Sequence, residues 1–159
     1  MPNVVVVRNT YSDMDSLRRV IEYVKRGSFT GGYAVNPRFA FEEMRLLKEA
    51  YHKTDGVQLK HFLITFSNEE MVELDFEDLY NLAIEVGRLF GEYQMVFGIH
   101  IDTNHVHLHF CMNTVSFMDG KKYSDGLAGF NRVKQHLLRA YPKFYAELYF
   151  REKYEPKKV

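Results

Sequence analysis

The sequence predicts an α+β fold: an antiparallel sheet with helices packed on one face and a row of histidines on the other. Three observations point there. Residues 99–113, IHIDTNHVHLHFCMN, alternate polar and apolar side chains with period two, the pattern of a strand whose faces differ. Stretches with helical apolar stripes interleave with such strands along the chain. Short turns at Asp102–His105 and Asp119-Gly120 are the connections of hairpins, which build antiparallel sheets.

In order, Val4 to Val7 is a short apolar run consistent with a central strand. Ser12, Asp13 or Asp15 can cap a helix running to about Arg26, with Leu17, Val20, Ile21 and Val24 as its buried stripe. Tyr23 lies about 100° round from the centre of that stripe, free to point along the edge of the core, and Gly27 ends the helix. Gly31-Gly32-Tyr33 reads as a glycine-rich turn leading to Asn36-Pro37, an N-cap followed by proline at the first helical position. The next helix runs to about His52, with Ala40, Met44, Leu47 and Tyr51 inward. Gln58 to Phe66 is a strand with Phe62, Ile64 and Phe66 on one face and His61 and Thr65 on the other. Asp75 caps a helix whose stripe is Phe76, Leu79, Ala83, Val86 and Phe90, stopped by Gly91. After the histidines come a tight hairpin over Phe117–Tyr123, a helix from Leu127 to Tyr141 closed by Pro142, and a charged, aromatic-studded tail over 145–159.

The histidine segment carries the chemistry. Four of the seven histidines, His100, His105, His107 and His109, fall within ten residues. A hairpin with Thr103 and Asn104 at its tip sets His100 across from His107 and Asp102 across from His105, with Cβ atoms roughly 4.5–5.5 Å apart. His109 then faces Gly98, which leaves space beside the cluster. A lone strand histidine is usually solvated or hydrogen-bonded. Several imidazoles buried without a partner cost a few kcal/mol each, so this grouping points to a divalent metal ion. Three neutral imidazoles leave coordination positions open, as in a catalytic site, where the ion acts as a Lewis acid or activates water. No glutamate stands in an obvious general-base position, whereas the chain holds eleven tyrosines, and a phenol can be a nucleophile at phosphorus.

At 159 residues the chain is expected to be one domain, 1–159, with a core of its own. Its formal charge is zero, so a nucleic-acid role rests on local patches. The single cysteine, Cys111, excludes an internal disulfide scaffold and fits a reducing compartment; it is expected to be buried on the apolar face with Phe110 and Met112. No apolar run approaches the roughly 18 residues of a membrane span, and the N-terminus lacks a secretory pattern.

The run HIDTNHVHLHFCMN, from His100 to Asn113, resembles the third motif of relaxases, the plasmid mobilisation nucleases of the HUH (His-hydrophobe-His) endonuclease superfamily. Leu17 to Arg26 resembles the first motif, a helix bearing the nucleophilic tyrosine. His61 to Ser67, followed by Glu69 and Glu70, resembles the strand and acidic helix start between them, and Asp119 to Tyr123 the hairpin after the histidines. The resemblance implies a ferredoxin/RRM-like palm and a nicking-joining reaction at an origin of transfer. Tyr23 would attack single-stranded DNA, forming a 5′-phosphotyrosine link and freeing a 3′-hydroxyl. His107 and His109 would be the HUH pair and His100 the third ligand of Mn²⁺, Mg²⁺ or Zn²⁺, which polarises the scissile phosphate. His105, Asp102 and Asn113 would be supporting or substrate contacts. Tyr33 is the next candidate nucleophile and Tyr11 the third. Lys25, Arg26, Lys121, Lys122, Arg132 and Lys134 are candidate phosphate contacts. A bacterial cytoplasmic setting with accessory relaxosome proteins is implied as well. Competing readings are a replication initiator or transposase of the same superfamily, a non-catalytic metal-dependent DNA-binding module, and a hydrolase that uses water in place of tyrosine.

Overall fold

The computed structural model describes residues 2–101 and 104–141, and the backbone of 147–151. Strands and helices interleave: β1 (Asn3–Val7), α1 (Met14–Lys25), β2 (Phe29–Tyr33), α2 (Ala40–Ala50), β3 (Leu59–Ser67), α3 (Phe76–Phe90), β4 (Tyr93–Ile101), β5 (His105–Ser116), α4 (Ala128–Ala140) and β6 (Glu147–Arg151). They form a six-stranded sheet in the order β2-β4-β5-β3-β1-β6, antiparallel except where β6 runs parallel to β1.

Local sequence sets the helix ends. Asp13 caps α1 by accepting from Ser16 N–H at 2.7 Å, which satisfies one of the donors a helix start leaves open. α3 opens on a reciprocal capping box between Asp75 and Asp78 and closes at Gly91, whose φ of 82° only glycine adopts without strain. The Asp119-Gly120 turn forms as expected, with Gly120 at φ 73° and Lys121 carbonyl accepting from Ser116 N–H.

The β4–β5 ladder has the register the alternation predicts: His100 opposes His107 and Gly98 opposes His109. Asp102 and Thr103 lie outside the described residues. β3 flanks β5 on its other side, Leu63 opposing His109 and Thr65 opposing His107.

The α+β class with its antiparallel sheet stands, but the layering differs from expectation: helices cover both faces. Phe62, Ile64, Phe66, Met95, Phe97, Leu108, Phe110 and Met112 pack under α3 and α4. The other face bears the histidines and also an apolar patch, where Leu59, Val96 and Cys111 pack against the α1 stripe and against Ala40 and Met44 of α2. The α1 stripe needs an apolar partner, and these positions supply it. Cys111 is therefore buried, but among the histidines' neighbours rather than beside Phe110 and Met112.

Three smaller expectations are corrected. Gly31 and Gly32 lie in edge strand β2, not in a turn; a side chain at Gly31 would strike the Phe97 and Tyr80 rings, so glycine serves close approach there. In α2 it is Lys48, not Tyr51, that points inward. Within the expected tail, 147–151 add strand β6 to the sheet.

Candidate active site

β5 carries the site because its three histidines fall on one face. His107 is half-buried, His109 is fully buried and His105 is exposed. β4 adds His100, half-buried, directly across from His107. The ring centres of His100 and His109 lie 4.4 Å apart, those of His107 and His109 5.9 Å, and His105 sits 6.1 Å from His107 at the outer end.

α1 delivers Tyr23 to this cluster. The helix crosses the sheet so closely that its last turn touches β4: His100 Nε2 lies 3.0 Å from the Val24 carbonyl. One residue earlier, the half-buried Tyr23 ring meets His109 edge-on at 5.2 Å between centres and His100 at 4.9 Å. The off-stripe placement of Tyr23 thus becomes a position over the imidazoles rather than within the core.

Sequence reasoning missed a fifth histidine. His61 on β3 is buried, and its Nε2 lies 3.1 Å from His109 Nδ1, while Tyr11 Oη lies 3.3 Å from His61 Nδ1. The alternation of β3 put His61 on the same face as Thr65. Only the pairing of β3 with β5, a contact between distant parts of the chain, makes it a neighbour of the cluster.

Burial disfavours the charged form of His61, His109 and His100. It pushes the His61 pKa down to about 3, with His100 adding repulsion. His109 falls well below the ordinary range, first through burial and then through His61, His100 and His107. His100 is lowered by burial and by Arg26, against the opposing hydrogen bond to Val24. A protein interior disfavours the imidazolium, and neutral imidazole is the form that ligates metal.

The donor set fits a divalent ion. A ligating imidazole nitrogen sits about 2.0–2.1 Å from zinc, which puts the centres of two rings on one ion roughly 4.5–6 Å apart; the measured spacings lie close to that range. A carbonyl only accepts, so His100 must donate Nε2–H to Val24, leaving its Nδ1 lone pair available. A backbone carbonyl on the far nitrogen is the usual support of a ligating histidine. Among the described residues no three His, Cys, Asp or Glu side chains converge on one point.

The remaining predicted residues divide. Asn113 is not part of the cluster: fully buried, it accepts from Lys48 Nζ at 2.7 Å and donates to Gln94 Oε1 at 3.0 Å. Tyr33 belongs to the opposite face, where its hydroxyl donates to the Gly91 carbonyl at 2.7 Å. Lys25 and Arg26 end α1 beside His100. Lys121 and Lys122 follow the far end of β5, seven residues beyond His109 at Ser116, or about 23 Å along the strand. Arg132 and Lys134 lie on α4, beneath the other face. A pocket of about 310 Å³ opens beside Tyr23 and His61, lined also by Asn9, Thr10, Ser12 and Arg19; Arg19 is a cation the sequence reading passed over.

A histidine-faced antiparallel sheet with a helix-borne tyrosine set over the imidazoles defines the palm of an HUH-like endonuclease. The chain belongs to the MobA/VirD2-like relaxase family, whose nuclease-domain profile matches residues 20–140. That span holds Tyr23 and all five clustered histidines. Protein rlx of Staphylococcus aureus is 25% identical over 126 residues, which are 78% of this chain and 37% of that protein. The chain thus spans little more than a third of that relative's length. The MobM relaxase domain (MOBV; Mob_Pre), solved bound to a 26-nucleotide pMV158 oriT DNA, shares the fold with a TM-score of 0.56 and 14% identity, covering 100% of this chain and 94% of that one. Among the described residues no helix is long and apolar enough to cross a membrane.

Proposed function

We propose that this chain nicks and rejoins single-stranded DNA at an origin of transfer, with Tyr23 as nucleophile. The observation that carries the reading is the Tyr23 ring set against both His100 and His109, at 4.9 and 5.2 Å. Tyr23 Oη forms a bond to phosphorus while the bond from phosphorus to the 3′-oxygen breaks. The phenol loses its proton and the leaving 3′-oxygen takes one up. One ester replaces another, so the strand break is stored in the 5′-phosphotyrosine, and attack by the 3′-hydroxyl reverses it.

His100, His107 and His109 would hold a divalent ion, Mn²⁺ or Mg²⁺ or else Zn²⁺, whose charge offsets that developing on the phosphoryl oxygens. The protein's own contribution is placement. α1 fixes Tyr23 over the imidazoles, and burial that disfavours the charged form of His100 and His109 leaves each ring one lone pair. The pocket beside Tyr23 lies at the lower end of the roughly 300–1,000 Å³ usual for ligand sites. It would receive the nucleotide next to the scissile phosphate, with Arg19 on one side and Lys25 and Arg26 beyond. Accessory proteins of a relaxosome would supply further DNA affinity to a chain with no net charge.

Incubation with a labelled single-stranded oligonucleotide pool and Mn²⁺ tests this. A covalent protein–DNA adduct that disappears in Tyr23→Phe supports it. Cleavage without an adduct supports a hydrolase, and binding without cleavage a DNA-binding module.

A further inference from the structure

The three-membered chain Tyr11–His61–His109 has two possible directions, and only one leaves His109 able to ligate at Nε2. Tyr11 Oη is 3.3 Å from His61 Nδ1, and His61 Nε2 is 3.1 Å from His109 Nδ1. Each neutral imidazole carries one N–H. If Tyr11 donates to His61 Nδ1, His61 must donate from Nε2 to His109 Nδ1, and the His109 proton then sits on Nε2. If His61 donates from Nδ1 to Tyr11, its Nε2 accepts from His109 Nδ1–H, and His109 Nε2 keeps its lone pair.

We infer that Tyr11 and His61 are positioning residues that fix the tautomer of His109, with Tyr11 Oη as the acceptor that sets the direction of the chain. One further observation supports it. Tyr11 has a φ of 37°, in the left-handed region that residues other than glycine rarely occupy, and Gln58 N–H pins its carbonyl at 2.8 Å. Backbone strain of this kind persists where the surroundings enforce a side-chain direction, and here the direction is toward His61. The Tyr11 phenol oxygen can accept as well as donate, so it can take the Nδ1–H of His61. Tyr11, the third candidate nucleophile by sequence, receives a different role.

This rests on His109 being a metal ligand, so the test separates the two. In metal-free protein labelled with ¹⁵N at histidine, two-bond ¹H–¹⁵N spectra should show the proton of both His61 and His109 on Nδ1. Tyr11→Phe keeps the ring and removes the acceptor. It and His61→Leu should bind Mn²⁺ about 10–100-fold more weakly by calorimetry, whereas His61→Gln, whose amide oxygen can accept from His109 Nδ1–H, should recover most of the affinity. If His107→Ala abolishes Mn²⁺ binding but Tyr11→Phe and His61→Leu leave it unchanged, the inference falls and the functional reading stands. A His109 proton on Nε2 also overturns the inference. If His107→Ala leaves Mn²⁺ affinity unchanged, the ion is not held by these histidines and both fall together.

Discussion

Gly98 lies so close to the Val24 carbonyl that a single methyl group on its Cα would collide with the helix backbone. The glycine opposite His109, which the sequence suggested would leave space beside the cluster, instead lets α1 descend onto the sheet and set Tyr23 over the imidazoles. Gly98→Ala should therefore lift the end of α1. We expect a stability loss of about 1–3 kcal/mol, the usual range for overpacking, and a larger proportional loss of DNA adduct. Denaturant titration and adduct yield on one preparation check this; a folded variant with full adduct yield contradicts it.

Metal-free protein should lose stability as the pH falls. In the unfolded chain His61 titrates near 6.5, and in the folded chain burial lowers this to about 3; His109 is lowered well below 6.5 and His100 is lowered too. Below pH 6.5 the unfolded state binds protons that the folded state refuses, so acid favours unfolding. This contribution is fully present above 6.5 and is lost as the pH falls toward 3. Urea midpoints after chelation, measured from pH 7.5 to 5, should fall, and His61→Gln should shallow the slope. A midpoint that rises on acidification contradicts the assignment.

Asn113 should behave as a structural residue. Its Oδ1 and the Gln58 carbonyl are acceptors for the buried Lys48 ammonium, at 2.7 and 2.8 Å, whose pKa burial lowers to about 8. Asn113→Ala should cost about 1–3 kcal/mol by stranding that group, while Mn²⁺ affinity stays the same. Combining Asn113→Leu with Lys48→Met should cost less than the sum of the single changes. Additive losses, or a drop in metal affinity, would place Asn113 in the site after all.

The cations should sort by position. Removing Arg19 or Arg26 should weaken single-stranded DNA binding and reduce the dependence of log affinity on log salt by about 0.7 per charge. Lys121, Lys122, Arg132 and Lys134, at the far end of β5 or beneath the opposite face, should give smaller changes. Equal effects at all six positions would mean that the strand wraps the whole domain.

What was legible in the sequence follows from what is local. The period-two alternation of β4 and β5 and the short turn between them fix the facing of His100 with His107 and of Gly98 with His109 without any tertiary knowledge. The placement of Tyr23 off the α1 stripe is likewise a helical-wheel property. Contacts across distant segments were not legible. His61 joins the cluster only through β3–β5 pairing, and Tyr11 only through a backbone turn at positive φ. Lys48 reads as a surface charge until Asn113, on another strand, supplies its acceptor. The second helical layer is not legible because the apolar patch on the histidine face, with Val96, Cys111 and Leu59, comes from three separate strands.

The central claim is that Tyr23 takes the DNA strand onto its own hydroxyl. Trapping the adduct on a single-stranded oligonucleotide with Mn²⁺, digesting both components and sequencing the nucleotide-bearing peptide by mass spectrometry tests it most directly. One modified peptide is expected, carrying the nucleotide on Tyr23. A nucleotide on Tyr11 or Tyr33, or efficient cleavage that leaves no peptide modified, would contradict it.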